Sequence, residues 1–114
     1  MPHRLLGAAM VAAVLAGGAH AQDSTPATPA VKTFDVKANF RNICGFCHED
    51  YGRHAGKGPQ LMNSVSTDQA LFNRIKKGMP GRMAAFGSVY NDDQIWLIVK
   101  FIRNLKPGEE PQNP

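Results

Sequence analysis

Apolar and polar positions repeat with a helical period in three stretches of this chain. Asp35 precedes Val36, Phe40 and Ile43, which fall at i, i+4 and i+7. That spacing predicts a helix capped by Asp35, with the three apolar residues inward, running straight into Cys44. Residues 49–63 hold Gly52, Gly56, Gly58 and Pro59 and read as a loop. Ser66 with Gln69 has the form of a capping box. The following "TDQALFNRIKK" turns Leu71, Phe72 and Ile75 to one face, and Gly78 stops it. "MPGRMAAFGSVY" is irregular again. Asn91 with Gln94 repeats the cap signature and opens a third helix through Leu105. Its stripe is Ile95, Ile98, Val99, Ile102 and Leu105, with Trp96 and Phe101 alongside, and Pro107 and Gly108 end it. No alternating run argues for a strand, so the expectation is an all-α fold.

The two ends differ from this middle. Arg4 and the apolar run Leu5 to Leu15 precede Ala19-His20-Ala21, the pattern of a secretory signal (1–21) cleaved after Ala21. That run is too short for a membrane span, and no later stretch comes closer, so no stable membrane insertion is expected. Residues 22–33 are polar, with Pro26 and Pro29, and read as a flexible leader. Residues 107–114, "PGEEPQNP", read as a solvated, disordered tail. One small domain, 34–106, remains. A core this small commonly leans on a staple, a metal or a cofactor.

Composition removes some partners. The chain has 13 Lys plus Arg against 9 Asp plus Glu, and losing Arg4 with the signal leaves it mildly basic. There is no dense basic tract, so nucleic acid is not an expected partner.

The chemistry concentrates in "ICGFCHED", which puts Cys44, Cys47 and His48 within five positions. Two cysteines at i and i+3 and a histidine at i+4, at a helix end, project from one turn. Each thiol can add across one vinyl group of a haem, and the adjacent imidazole can meet the iron through Nε2. The motif is a haem-attachment signature. The competing readings fit less well. A Cys44–Cys47 disulfide would close a tiny loop and contribute little. Zinc would need further ligands, and beyond the signal only His48 and His54 accompany the thiols. "CGFCH" is also similar to the active site of periplasmic disulfide isomerases. There the motif follows a strand and opens a helix, whereas here it closes one.

Taken with these elements, residues 35–106 resemble the class I cytochromes c, small single-haem electron carriers. The resemblance implies a fold of three main helices wrapped around one covalently bound haem c. Cys44 and Cys47 would carry the thioethers and His48 would be the proximal axial ligand. In that family a G-P-x-L stretch follows the haem motif, matched here by Gly58, Pro59 and Leu61. The carbonyl of Pro59 would then accept the Nδ1–H of His48 and fix its tautomer. The family's distal methionine lies in a stretch like M-P-x-F-G, matched by "MAAFG" from Met83, with Ala84 where proline is common. Met83 is therefore the expected distal ligand and Met79, in Met79-Pro80, the runner-up. Met62 and His54 lie in the loop leaving the proximal side and are weaker candidates. Phe40 and Phe101 occupy the places where the family packs its first and last helices together. Trp96 is expected either beside the haem or half-exposed.

Such a protein would be a periplasmic electron shuttle and not an enzyme in its own right, with a quinoprotein alcohol dehydrogenase as one candidate donor. Its redox partners, a donor dehydrogenase and a terminal acceptor, would dock at the haem edge near Arg74, Lys76, Lys77 and Arg82, and a monomer is expected. Two alternatives stay open at this point. A five-coordinate haem could sense or carry a gas, and without haem the thiol–disulfide reading of CGFCH returns.

Overall fold

The computed structural model describes residues 33–114. The expected signal (1–21) and all but the last residue of the leader (22–33) lie outside them. Three helices carry the fold: α1 (Val36–Asn42), α2 (Asp68–Lys77) and α3 (Asp92–Arg103). Single turns of 3-10 helix, Cys44–Phe46 and Asp50–Gly52, follow α1. Among the described residues there is no strand, only an isolated antiparallel bridge between Met79 and Met83. The fold is all-α, as the periodicity predicts.

Each helix starts where a side chain satisfies its free amino-terminal N–H groups. Asp35 Oδ1 accepts from Ala38 N–H at 2.9 Å. Asn91 and Gln94 form the predicted reciprocal box, at 2.9 and 3.0 Å. The α2 cap differs by one residue from the expectation. Thr67, not Ser66, accepts from Ala70 N–H at 3.1 Å, and Gln69 instead reaches Asn73 Oδ1 at 3.1 Å. Gly78 ends α2 at φ 66°, a left-handed conformation suited to glycine. A Cβ there would lie 2.5 Å from Met83 O.

The core lies where α1 and α2 meet α3. Phe40 and Phe101, both almost fully buried, meet at 5.3 Å between ring centroids. Around them are Val36, Leu71, Phe72, Ile75, Ile95, Ile98, Val99, Ile102 and Leu105. Truncating one such aromatic typically costs about 3–5 kcal/mol. One apolar residue departs from its expected place and another takes one of two. Ile43 is 37% exposed, because α1 stops at Asn42 and the chain turns into the 3-10 segment before another helical turn can carry Ile43 inward. Trp96 is 40% exposed and stacked on Phe72 at 4.5 Å, which is the half-exposed alternative.

The carboxy-terminal segment departs most. Expected to be solvated and disordered, residues 107–114 instead lie along the amino end of α1. Pro111 is buried. Asn113 Oδ1 accepts from Lys37 N–H at 2.8 Å, and Asn113 Nδ2 donates to Asp35 Oδ1 at 3.0 Å. Lys37 also pairs with Glu110. The physical reason is that Lys37 N–H is one of the helix donors with no intrahelical acceptor, and a polar tail can supply one.

Candidate haem site

Cys44, Cys47 and His48 sit where α1 gives way to the first 3-10 turn. The Cys44 carbonyl accepts from both Cys47 N–H (3.1 Å) and His48 N–H (2.9 Å), so one backbone oxygen gathers the motif into a tight turn. No disulfide joins Cys44 and Cys47. Burial pushes the Cys44 thiol up to about 11. A thiol–disulfide catalyst needs the opposite, a thiol with a lowered pKa.

His48 is 7% exposed and is the buried polar or charged residue among the described residues. Its Nδ1 lies 2.9 Å from Pro59 O. A carbonyl only accepts, so Nδ1 carries the proton and Nε2 is left with its lone pair, the form needed to bind a metal. The backbone around this ring is shaped for it. Gly58 N–H donates to Cys47 O at 2.8 Å, and a Cβ on Gly58 would lie 2.6 Å from His48 Cε1. Only glycine lets the chain come this close.

The loop after His48 is unusual in its backbone. Asp50 (φ 50°), Tyr51 (φ 58°) and Gly52 (φ 90°) are consecutively left-handed. For Tyr51 this costs roughly 1–2 kcal/mol, whereas Asp50 has a short polar side chain that tolerates it better. Arg53 Nε donates to Asp50 Oδ2 at 2.9 Å, and this bond holds the Asp50 carboxyl below its usual range. Gly52 O accepts from Leu61 N–H (2.7 Å) and Met62 N–H (3.0 Å) and returns the chain to the core.

The second loop carries Met83. Met79 and Met83 exchange two backbone hydrogen bonds of 2.8 Å across a turn through Pro80 and Gly81, the latter at φ 73°. Phe86 N–H then donates to Ile75 O at 2.9 Å and Gly87 N–H to Lys76 O at 3.0 Å, fastening the loop to the end of α2.

One mainly apolar cavity joins the two loops. Cys44, His48 and Met83 all line it, with walls from residues such as Phe40, Leu71, Ile75, Phe86, Ile98 and Ile102. Of the other sulfur and histidine candidates, neither Met79, Met62 nor His54 lines it, and the His54 side chain is 71% exposed. Arg74 and Tyr90 add polar groups to the lining. Tyr90 donates to Asn39 Oδ1 at 3.3 Å. Sequence reasoning passed over Tyr90. Its signal was its place just before the Asn91 cap, with Ile95 four positions inside the helix, a staple pattern. A buried imidazole with a fixed tautomer, a thioether and the Cys44 thiol along apolar walls, with the partly exposed Cys47 in the adjoining turn and outside the lining, make a donor set that fits a haem.

Comparison with known proteins agrees. Residues 33–102 match the family model described as cytochrome C oxidase, cbb3-type, subunit III. The chain belongs to this cytochrome c family. It therefore carries one covalently bound haem c, and Cys44, Cys47 and His48 fit the family's Cys-x-x-Cys-His motif. No curated protein sequence matches the chain. Among solved structures it is similar to the c-type cytochrome NirC, at 20% identity and a TM-score of 0.53, over 59% of this chain and 82% of that one. Cytochrome cL from the marine methylotrophic bacterium Methylophaga aminisulfidivorans matches at 20% identity and a TM-score of 0.51, over 68% and 67%. These two show a shared fold. Dihydro-heme d1 dehydrogenase NirN matches at 30% identity and a TM-score of 0.55, over 67% of this cytochrome but only 17% of its own length. Cytochrome c domains of this kind act as electron carriers, some of them as subunits of oxidases.

The expected docking rim changes in one respect. Lys76 Nζ is paired with Asp92 Oδ1 at 2.7 Å. Arg74, Lys77 and Arg82 have no carboxylate partner among the described residues, and Lys77 and Arg82 line an open groove beside Met83.

Proposed function

We propose that this cytochrome is an exported, monomeric carrier of single electrons in which His48 and Met83 are the axial ligands and Cys44 and Cys47 hold the thioethers. The observation that carries the reading is that His48 and Met83 line the same cavity while Met79 does not. Met79 serves instead as the first residue of the turn that presents Met83, its carbonyl accepting from Arg82 N–H at 2.9 Å.

When bound, the haem supplies an iron that gains and loses one electron. The protein's own groups set how readily that happens. Pro59 holds the His48 ring by its Nδ1 proton, which keeps Nε2 aimed and basic. The Met83 thioether is a soft donor that favours ferrous iron, and the apolar wall excludes water and raises the reduction potential further. Nothing in this arrangement requires a catalytic base.

Export through cleavage after Ala21 gives a periplasmic location. No helix among the described residues is long and apolar enough to cross a membrane. The partners we propose are a quinoprotein alcohol dehydrogenase as donor and a terminal acceptor with an acidic face. They would meet Arg74, Lys77 and Arg82, charges that favour fast, weak encounters.

The test is the weak far-red sulfur-to-iron band of the oxidised protein. It is expected in the native chain and in Met79→Ala and absent in Met83→Ala. A band that survives Met83→Ala, or is lost only in Met79→Ala, overturns the assignment.

A further inference from the structure

We propose that Arg53 is a positioning residue for the proximal ligand, and that the last eight residues form the strap it closes. The inference rests on His48 as that ligand. It starts from the three consecutive left-handed residues, Asp50, Tyr51 and Gly52, which follow His48 after a single residue. Two such residues in succession, one of them the bulky Tyr51, are not held by local preference, so contacts from elsewhere must fix them.

Those contacts come from Arg53 and the tail. The Arg53 side chain is 11% exposed. Its guanidinium spans both carboxylate oxygens of Asp50 on one side and donates to the carbonyl of Glu109 on the other. Lys37 makes a parallel link. Its ammonium pairs with Glu110 and sits 5.9 Å from the centre of the Tyr51 ring, and its backbone N–H donates to Asn113. Tyr51 is packed in turn on Phe101 at 6.2 Å. Through Arg53 and Lys37 the strap is linked to both left-handed residues that carry a side chain.

The grip continues to the imidazole. Gly52 O holds Leu61 and Met62 through their N–H groups, and these directly follow Pro59 and Gln60. Pro59 O is the acceptor for His48 Nδ1. If the turn relaxes to a right-handed backbone, Gly52 O moves and the Pro59 carbonyl loses its anchor. The strap thus acts on the orientation of His48 without touching it.

Amide and ring-proton exchange of the haem-loaded protein, followed by NMR, tests this. In Arg53→Gln the amides of Gly52, Leu61 and Met62 and the ring proton of His48 should exchange on the order of tenfold faster. The α2 amide of Ile75 should keep its rate. The double variant Glu110→Gln/Asn113→Ala, which loosens the tail while leaving Arg53 in place, should show the same local pattern to a smaller degree. Unchanged exchange at the loop protons, or equal acceleration at Ile75, overturns the proposal, because a merely structural role would loosen the whole domain. Large iron-induced shifts of the His48 ring protons in the oxidised native sample report separately on His48 as the ligand, so the two readings fail independently.

Discussion

The two loops that face the cavity are built differently. The proximal loop, residues 49–62, is fixed at many points: two glycines in close approach, a left-handed turn, the Arg53–Asp50 pair and the Pro59 bond to His48. The distal loop, residues 78–90, is also well tied by its backbone, to α2 and to itself, and Gly78 and Gly87 come close to their neighbours too, but no hydrogen bond reaches the Met83 side chain. The Met83 thioether is only a weak acceptor and takes no hydrogen bond among the described residues, so packing holds its sulfur. On the ligation proposed above, one ligand is locked through its own ring and the other is presented on a loop that does not hold its side chain. The proximal side should resist disturbance, and the distal side should be where the iron's coordination opens.

Four substitutions break or sharpen that contrast. Phe101→Ala removes the core common to both loops and should destabilise the haem-loaded protein by about 3–5 kcal/mol, with both sides loosening together in thermal and chemical unfolding. Gly58→Ala drives a methyl group into the His48 ring and should cost about 1–3 kcal/mol, the disturbance confined to the proximal side. The His48 ring-proton resonance should shift, while the far-red band, reporting on the distal side, should persist. Asn91→Ala removes half of the cap that follows the distal loop and should cost about 1 kcal/mol, seen as a small drop in the unfolding midpoint.

The smallest effect concerns pH. The bond from Ala38 N–H, and then the Asn113 amide, lower the Asp35 carboxyl from its usual value. A lowered folded-state pKa gives stability that is present above the unfolded value and lost as pH falls through the folded one. Melting curves taken from about pH 5 down to about pH 2.5 should therefore slope less steeply in Asp35→Asn than in the native chain.

Much of this architecture can be read locally. The Asp35 cap and the Asn91–Gln94 box lie within three residues of the N–H groups they satisfy, so spacing alone reveals them. The same holds for the Cys44–Cys47–His48 turn. Pro59 was legible only through family resemblance, and its 2.9 Å approach to His48 depends on a fold that spacing cannot give. The α2 cap was ambiguous because Ser66 and Thr67 carry equivalent hydroxyls one residue apart, and only the helix phase chooses between them.

What stayed hidden is non-local. Asn113 bonds to Lys37 across 76 positions, so a tail with a solvated composition gave no sign that it docks. Lys76 looked like a free rim charge until α2 and α3 brought it to Asp92. The left-handed backbone at Asp50 and Tyr51 had no glycine or asparagine to announce it. Ile43 followed the helical period but lies one residue beyond the helix.

Titrating the oxidised, haem-loaded protein with cyanide while following both the far-red band and the His48 ring proton tests the central claim most directly. A locked His48 opposite a tethered Met83 predicts that the sulfur band disappears as one cyanide binds, while the His48 ring proton stays observable and slow to exchange. Loss of the His48 signal with the sulfur band intact would contradict it.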